Sequence, residues 1–287
     1  MDLIVNFTPT GIIPTRDMSA HVPLTVDEIV EDVRRAVEIG ITMVHLHARD
    51  EDGQSTTSKE TYAAIIGGIR EFAPDLILGV SLSGRVFTDF AHRAEPLQLA
   101  GDLKPDMGSL TLSSLNFNRQ ASVNEPETIR SLAAEMKDRG IAPELEAFDA
   151  GMINYAKYLE RKGLLVAPHY FNLLLGNIAC AQADLLHAGM MVRDLPPQSY
   201  WSLAGIGGFQ LSMNSIAIAM GGGVRVGLED NIWFDAKRTR LATNADLLER
   251  VRRIAEANER GVMPPGELRR LLKLNPGNGN YGRTYDA

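Results

Sequence analysis

The chain has 287 residues, 45% of them hydrophobic and 23% charged, so it can form a globular protein with a large core. Its net charge of -7 argues against nucleic acid as the main partner, and its single cysteine, Cys180, excludes an intramolecular disulfide. No stretch offers the roughly 18 apolar residues of a membrane span, and the first residues do not resemble a secretion signal. We therefore expect a soluble cytoplasmic protein that binds neither nucleic acid nor a membrane.

Short apolar runs alternate with longer amphipathic runs along the chain. The apolar runs predict eight strands, at residues 3–8, 42–47, 76–82, 106–112, 144–148, 164–171, 200–204 and 224–228. The amphipathic runs predict helices at residues 25–39, 58–72, 89–100, 125–139, 151–162, 178–191, 209–219 and 244–260. The first helix has clear limits, because Thr25 and Glu28 have the spacing of a capping box and Gly40 follows its last apolar residue.

Eight strand–helix units predict an α/β fold of the TIM (β/α)8 barrel type. The alternative is a doubly wound open sheet, but no glycine-rich dinucleotide turn follows the first strand. Polar residues recur instead at the carboxyl ends of several strands, where barrel active sites lie. We expect one barrel domain over residues 1–287, with a C-terminal tail from about residue 273. The turn-rich composition of that tail predicts loose ordering or contact with a neighbouring subunit.

Two histidines, His45 and His47, end the second predicted strand. Successive side chains of a strand alternate between its faces, so the two imidazoles point the same way. A histidine pair at the carboxyl end of a barrel strand suits metal binding. The alternative is a pair of structural histidines held by hydrogen bonds.

The eighth strand leads into a second polar cluster. Arg225, Gly227 and Glu229 share one face if the strand continues that far. Glu229 could then complete a metal site of two histidines and one carboxylate with open positions. Asp230 would be free to act as a base, with Arg225 nearby to orient it. The alternative is a surface loop with solvated acids and a structural arginine.

The third predicted strand ends in Ser81, Ser83 and Gly84. The two serines share a face, and a glycine lets a ligand approach the backbone. Because no G-x-S-x-G elbow is present, we expect the serines to donate hydrogen bonds to substrate and not to act as nucleophiles. A polar turn between strand and helix is the alternative.

Three other strand ends carry candidate residues. On the fifth strand, Glu144 and Glu146 share a face; they could meet substrate, with Glu144 the candidate contact, or belong to a structural ion-pair network. Asn116 follows the fourth strand in a candidate lid that would touch substrate. His169 closes the predicted sixth strand, either near the substrate or in a structural role.

These motifs together resemble those of the β-keto acid cleavage enzymes over essentially the whole chain. The matching stretches are TPTG at 8–11, VHLHARD at 44–50, SLSG at 81–84, PELEAFD at 143–149 and RVGLEDN at 225–231. The family is similar in fold to the TIM barrel inferred above.

The resemblance implies a zinc ion (Zn2+) held by His45, His47 and Glu229. It also implies that Asp230 is the general base and that Arg225 supports it. The implied reaction uses acetyl-CoA as co-substrate: a β-keto acid and acetyl-CoA give acetoacetate and a new acyl-CoA. Family members look like homotetramers, so we expect a homo-oligomer here.

The resemblance places Ser81 near the metal, and one position departs from the family pattern. Members that cleave 3-keto-5-aminohexanoate carry a glutamate, which meets the substrate ammonium, two residues after the glycine of the first motif. This chain has Ile13 there, and a buried isoleucine offers no partner to a cation. We therefore expect a neutral or anionic side chain on the keto acid, with Arg16 or Arg85 as contacts for an anion.

Two other functions compete with this interpretation. Metal-dependent hydrolases of the amidohydrolase type are also TIM barrels, but their histidine pair lies on the first strand and not on the second. A metal-stabilised binding protein without catalytic activity is the third hypothesis. The presence of a base, an arginine and an open metal position argues against it.

Overall fold

The computed structural model describes residues 1–285 and contains a closed barrel of eight parallel strands. In chain order the barrel strands are Val5–Phe7, Met43–Leu46, Ile77–Val80, Met107–Thr111, Ala142–Ala147, His169–Leu175, Ser199–Gly205 and Gly223–Val226. The first strand pairs with both the second and the eighth, which closes the barrel. The predicted TIM-barrel fold is thus confirmed.

Helices pack around the barrel and bury their apolar faces in its outer core. They are Val26–Ile39, Lys59–Arg70, Phe90–Ala94, Pro126–Asp138, Ala150–Arg161, Leu185–Arg193, Gln210–Ala219, Asn244–Ala257 and Pro265–Leu272. The predicted capping box is present: the Thr25 hydroxyl accepts from the Glu28 amide at 3.2 Å, and the Glu28 carboxylate accepts from the Thr25 amide at 3.0 Å. No helix within residues 1–285 has the length and apolarity needed to span a bilayer.

Two short antiparallel hairpins extend from the carboxyl end of the barrel, and the sequence analysis predicted neither. Ala48–Arg49 pairs with Ser55–Thr56, and Leu115–Asn116 pairs with Ala121–Ser122. We call the second one the 115–122 hairpin. It occupies the place where a lid loop was expected.

The sixth strand lies further along the chain than predicted. The predicted strand ended at Phe171, whereas the barrel strand begins at His169 and runs to Leu175. Leu165 is buried in the turn that precedes the strand, and Pro168 has no amide to donate to a ladder. His169 therefore lies at the amino end of the barrel, away from the strand ends where substrate was expected. Its Nε2 atom is 3.0 Å from a carboxylate oxygen of Glu160.

Two predicted helices are shorter than expected. The helix predicted at 178–191 begins only at Leu185, because Asp184 caps it by accepting from the His187 amide at 2.8 Å. The helix predicted at 89–100 ends at Ala94 and continues as the 3-10 helix Glu95–Gln98, which contains Pro96. Proline removes an amide from the helical ladder, which accounts for the early end.

The helix Pro265–Leu272, which the sequence analysis did not predict, closes the amino end of the barrel. Its Leu268 and Leu272 belong to an apolar cluster with residues at the beginnings of several barrel strands. The members of that cluster include Ile4, Met43, Ile77, Met107, Ala142 and Tyr170. This second, smaller core seals the barrel opposite the strand ends that carry the candidate site.

The tail after this helix folds back on the same end of the barrel, and the prediction that it is loosely ordered is wrong for residues 275–285. Asp106 is fully buried and accepts from Arg70 at 3.0 Å and from Arg269 at 2.8 and 2.9 Å. The same carboxylate accepts from the backbone amides of Leu78 and Gly282, at 3.1 and 3.0 Å. One buried acid therefore connects the barrel, the last helix and the tail.

Candidate active site

A cavity of about 730 Å³ lies at the carboxyl end of the barrel. Each of the eight strands, or the loop that follows it, contributes to its lining. TIM-barrel enzymes place their active sites at this end. Residues from separate parts of the chain, such as His45, Glu146 and Arg225, therefore meet in one cavity.

His45, His47 and Glu229 direct their polar atoms to one point in this cavity. The Nε2 atoms of the two histidines are 3.2 Å apart, and Nε2 of His47 is 3.1 Å from Oε1 of Glu229. One ligand atom from each residue lies within 4.8 Å of the other two. Nitrogens that bind one tetrahedral zinc ion at about 2.0–2.1 Å would lie roughly 3.4 Å apart, close to the observed separation.

The second carboxylate oxygen of Glu229 supports the same fit. Oε2 is buried and has no hydrogen-bond partner among residues 1–285. A buried carboxylate oxygen without a partner is costly in free energy, and a divalent cation would satisfy it. The residues present therefore fit a divalent metal ion.

Glu229 reaches this point because the chain turns after the eighth strand, which ends at Val226. A side chain on Gly227 would collide with the carbonyl oxygen of Thr8, so the backbone of the first strand approaches here closely. The Glu229 amide donates to that same oxygen at 3.2 Å. The strand therefore does not continue to Glu229, which was the condition for a shared face, although Arg225 and Glu229 do meet.

The loop after the first strand packs directly on Glu229. Gly11 has a φ of 70°, and a Cβ atom there would lie 2.6 Å from Cγ of Glu229. Arg49 fastens this loop, because its Nη2 donates to the carbonyl oxygens of Gly11 and Pro14 at 2.7 and 3.0 Å. No local pattern predicts this role for Arg49, and only its place in the VHLHARD stretch could have suggested one.

Arg225 is buried at the centre of the acidic groups. Its Nη2 is 2.6 Å from Oε1 of Glu229, and its Nε is 3.0 Å from Oδ2 of Asp230. Burial lowers the pKa of the guanidinium, but Asp230 and Glu229 more than offset this, so the pKa lies above its usual range. Arg225 therefore stays charged and holds both carboxylates in place.

The two neighbouring carboxylates respond differently to this environment. Burial raises the pKa of Glu229, but Arg225 and the two histidines lower it more, so the net pKa falls. Burial also raises the pKa of Asp230, and there Arg225 only partly offsets it, so the net pKa rises. Glu229 is thus suited to stay ionised, whereas Asp230 is the more basic carboxylate.

Glu144, expected to meet substrate, lies beneath His45 instead. Its Oε2 is 2.8 Å from Nδ1 of His45, and its Oε1 accepts from Asn6 and Asn172 at 2.7 and 2.6 Å. Burial raises the pKa of Glu144, but His45 and Arg225 reduce it to about 2. Burial lowers the pKa of His45, but Glu144 raises it to about 9. Glu144 is fully buried and does not line the cavity, so it orients the histidine.

Glu146 is the acid of the fifth strand that faces the cavity. It lies two residues closer to the carboxyl end than Glu144, about 6.6 Å along the strand. It accepts from the Thr111 hydroxyl at 2.7 Å and lies 3.6 Å from Nη1 of Arg225. Strand alternation identified both acids as inward-facing but could not tell which one reaches the cavity.

Ser81 and Ser83 line the cavity as predicted, but Gly84 does not. A side chain on Gly84 would collide with the carbonyl oxygen of Val123. The glycine therefore permits the approach of another part of the backbone and not of a ligand. The structure therefore gives no support to the prediction that Gly84 binds substrate.

Asn116 also lies outside the lining of the cavity. Its side chain is exposed, and its carbonyl oxygen accepts from the Asn177 amide group at 2.9 Å. Alternation within the 115–122 hairpin turns its neighbours Leu115 and Phe117 towards the cavity instead. The hairpin does form a wall of the site, but through those neighbouring side chains.

Of the residues expected to select the substrate side chain, Ile13 and Arg85 line the cavity and Arg16 does not. Ile13 lines the cavity but is 42% exposed, so it is not the buried residue that was expected. Arg16 lies outside the cavity lining and pairs with both carboxylate oxygens of Glu28 at 2.7 Å. Arg85 does line the cavity, and Arg119 of the 115–122 hairpin, which the sequence analysis did not name, joins it there.

The fold and this cavity define a (β/α)8-barrel enzyme whose active site can bind a divalent metal. Within that broad class, the whole sequence points to one group of proteins. A family model described as beta-keto acid cleavage enzyme matches residues 2–274, and the chain belongs to that family.

Individual relatives agree with this assignment. The chain is 36% identical over 274 residues to a 3-keto-5-aminohexanoate cleavage enzyme of Fusobacterium nucleatum, covering 95% of this chain and 98% of the relative. It is also 36% identical over 274 residues to a 3-oxoadipate:acetyl-CoA acetyltransferase of Cupriavidus necator, covering 94% of each. A solved ternary complex of ObcA with a C4-CoA adduct and oxalate has the same fold. Its TM-score is 0.75 at 20% identity, over 89% of this chain and 68% of that chain.

Proposed function

We propose that this protein converts a β-keto acid and acetyl-CoA into acetoacetate and a new acyl-CoA. The proposal rests on one observation above all: the cluster of His45, His47 and Glu229 lies beside Asp230 in one cavity. Relatives named for reactions of acetyl-CoA with 3-oxoadipate and with 3-dehydrocarnitine support this reaction class.

We propose that His45, His47 and Glu229 hold a zinc ion. Two imidazoles and one carboxylate, with a position left open, form a ligand set typical of catalytic zinc. A zinc ion bound there would supply Lewis-acid polarisation of the keto oxygen, which acidifies the carbon between the keto and carboxylate groups.

Asp230 is the proposed base that removes a proton from that carbon. Its Oδ2 accepts from Arg225, whereas its Oδ1 accepts no hydrogen bond from another group of residues 1–285. Burial raises the pKa of Asp230, so its carboxylate binds a proton more readily than an exposed aspartate does. Ser81 and Ser83 face the same cavity and are proposed to donate hydrogen bonds to substrate oxygens.

The remaining steps transfer the acyl group. The enolate carbon bonds to the acetyl carbon of acetyl-CoA, and the CoA thiolate leaves. The thiolate then attacks the former keto carbon. Cleavage of the bond between that carbon and the original α-carbon leaves acetoacetate as its enolate, which takes back the proton held by Asp230, and the rest of the keto acid remains as acyl-CoA.

The charges in the cavity support a keto acid whose side chain is neutral or anionic. The acids that line it, Glu146, Glu229 and Asp230, all lie around Arg225. Ile13 supplies no carboxylate at the position where aminohexanoate-cleaving members have one. A cationic side chain would therefore lack a free partner among the described residues that line the cavity.

We also propose a cytoplasmic homo-oligomer, a homotetramer by resemblance to the family. Exposed apolar side chains at the beginning of one helix, Leu185 and Leu186, offer surface for such contacts. Light scattering of the purified chain measures its mass directly. A monomer at micromolar concentration would contradict this part of the proposal.

The function is tested by following acetoacetate formation from acetyl-CoA and a panel of β-keto acids. We expect product that requires both substrates, is lost after chelation and returns with zinc. Release of a free acid without acetyl-CoA would instead support a hydrolase of the amidohydrolase type. Bound zinc without turnover across the panel would support a binding protein.

A further inference from the structure

We propose that Arg85 is a subsite for a distal carboxylate, so that the preferred substrate is a dicarboxylic β-keto acid. The inference rests on the proposed function for the identity of the reacting end of the substrate. It goes further in naming the chemical group at the other end and the residue that binds it.

The guanidinium of Arg85 has no hydrogen-bond partner among residues 1–285. The Nε atom of this guanidinium is buried without a hydrogen bond. The only hydrogen bond that Arg85 donates within residues 1–285 comes from its backbone amide and goes to the Ser83 hydroxyl. Buried arginines elsewhere in the chain each donate to a carboxylate, an amide oxygen or a carbonyl oxygen. They are Arg49, Arg70, Arg93, Arg225, Arg269 and Arg283.

Phe117 holds this guanidinium in a defined orientation. The central carbon of the Arg85 guanidinium lies 3.9 Å from the centre of the Phe117 ring. Stacking on an aromatic ring covers the flat face of the guanidinium and leaves the N–H groups at its edges free to donate. Those edges form the planar fork that binds a carboxylate through two parallel hydrogen bonds.

Among residues 1–285, the acids that line the cavity also leave Arg85 without a paired counter-charge. Glu229 and Asp230 are both paired with Arg225. Burial lowers the pKa of Arg85, and the charge of Glu229 raises it by a smaller amount. A carboxylate carried by the substrate would supply the missing negative charge in a partly desolvated place, where such a pair contributes most.

Apolar residues of the same cavity suit the carbon chain of such a substrate. Apolar side chains of Ile12, Leu115 and Leu174 line the same cavity as His45 and Arg85. A dicarboxylic keto acid has a polar group at each end and methylene groups between. Its keto and carboxylate oxygens would lie at the cluster, its methylene groups along the apolar wall and its second carboxylate at Arg85.

Binding without acetyl-CoA tests the subsite, because no turnover is then possible. The two ligands are 3-oxoadipate and 3-oxohexanoate, which differ only in a terminal carboxylate or methyl group. We expect the zinc-loaded protein to bind 3-oxoadipate roughly 10- to 100-fold more tightly, the range of a hydrogen bond to a charged group. Arg85→Met should abolish this preference, and Arg85→Lys should retain part of it.

Two matched variants separate a local effect from a general one. Arg35→Met removes the same charge from an exposed ion pair on a helix and should leave the preference intact. Arg119→Met removes the other arginine that lines the cavity; a loss of preference there and not at Arg85 would move the subsite to the hairpin and overturn the proposal. An equal loss of both ligands in Arg85→Met would show a structural role and would also overturn it.

Turnover distinguishes failure of the subsite from failure of the proposed function. If 3-oxoadipate binds through Arg85 but yields no acetoacetate, the proposed reaction is wrong and the subsite stands. If the kcat/KM of the unsubstituted protein is higher for 3-oxohexanoate than for 3-oxoadipate, the reaction stands and the subsite is refuted.

Discussion

The carboxylate of Glu144 lies 2.8 Å from Nδ1 of His45, on the side of the ring opposite His47. This contact keeps one proton on Nδ1, so that a metal would bind at Nε2 by displacing the other proton of the ring. A carboxylate behind a ligating histidine fixes the orientation of the ring and makes the nitrogen more basic.

Glu144→Gln should therefore weaken metal binding without removing a metal ligand. We expect an affinity about 10- to 100-fold lower, measured by competition with a zinc chelator. Glu127→Gln, a change in an exposed ion pair, is the control. An unchanged affinity in a folded Glu144→Gln protein would mean that Glu144 does not support the metal site.

Asp230→Asn should separate catalysis from metal binding. The amide keeps a hydrogen-bond acceptor for Arg225 but cannot take a proton, so we expect the turnover rate to fall by about 10²- to 10⁴-fold. Zinc content, measured by elemental analysis, should stay normal. His45→Ala and Glu229→Ala should instead lose zinc. An active Asp230→Asn enzyme would exclude this residue as the base.

Gly11→Ala should disturb the cluster of His45, His47 and Glu229 by displacing the Glu229 side chain. A Cβ atom at this position would lie 2.6 Å from Cγ of Glu229, and the φ of 70° is unfavourable for alanine. Gly163→Ala is a matched control, because Gly163 also has a φ of 70° but no atom within 4 Å of the added carbon. Both variants should lose about 1–2 kcal/mol in free energy of unfolding, from the backbone alone. Only Gly11→Ala should also lose zinc affinity, and equal zinc affinity in the two variants would disprove the contact.

Asp106→Asn should strongly destabilise the fold. The substitution leaves Arg70 and Arg269 buried without a counter-charge, and such losses amount to about 3–5 kcal/mol. Urea unfolding measures the change. Glu31→Gln breaks only exposed pairs and should change stability by less than about 1 kcal/mol. Similar effects in the two variants would contradict a central role for Asp106.

Asp32→Asn should stabilise the protein at neutral pH but not in acid. Burial raises the pKa of Asp32 from 3.8 to about 6, although Asn244 donates to it at 2.6 Å. Protonated Asp32 therefore favours the folded state. This contribution is fully present below pH 3.8 and is lost as the pH rises through about 6.

An asparagine at position 32 has no charge to bury, so the variant should gain about 1 kcal/mol over the original protein at pH 7.5. The difference should vanish near pH 4. Urea unfolding at the two pH values measures it, with Asp52→Asn in an exposed turn as the control. A stabilisation that does not depend on pH would exclude the buried charge as its cause.

Periodicity and chain order were sufficient to predict the barrel and the orientation of the histidine pair. Alternation along a strand placed His45 and His47 on one face, and the structure has their rings there. Alternation could not predict how far along the barrel axis a residue lies, because that position depends on how neighbouring strands are staggered. For that reason Glu144 and Glu146 were identified as inward-facing, but the wrong one was expected to meet substrate.

Other errors arose where long-range packing overrode local pattern. Leu164 and Leu165 have the composition of a strand, yet they follow directly after a helix, where the Leu164 amide donates to the Leu159 carbonyl oxygen at 3.0 Å. The ladder begins only after Pro168. The helix Pro265–Leu272 is short, and its apolar face is explained only by the open barrel end that it covers. Arg85 was identified as a candidate anion contact, but its stacking partner Phe117 lies in a hairpin that no local signal revealed.

The 115–122 hairpin forms part of the cavity wall, and it is separate from the residues proposed to carry out the reaction. The groups proposed for the reaction lie on or directly after the barrel strands, whereas Phe117 and Arg119 belong to a small excursion from the barrel. A change in the hairpin therefore alters the wall of the cavity, while the proposed zinc ligands keep the contacts that position them. Because Phe117 stacks on Arg85, substitutions in the hairpin can also reposition that guanidinium without rebuilding the proposed catalytic centre.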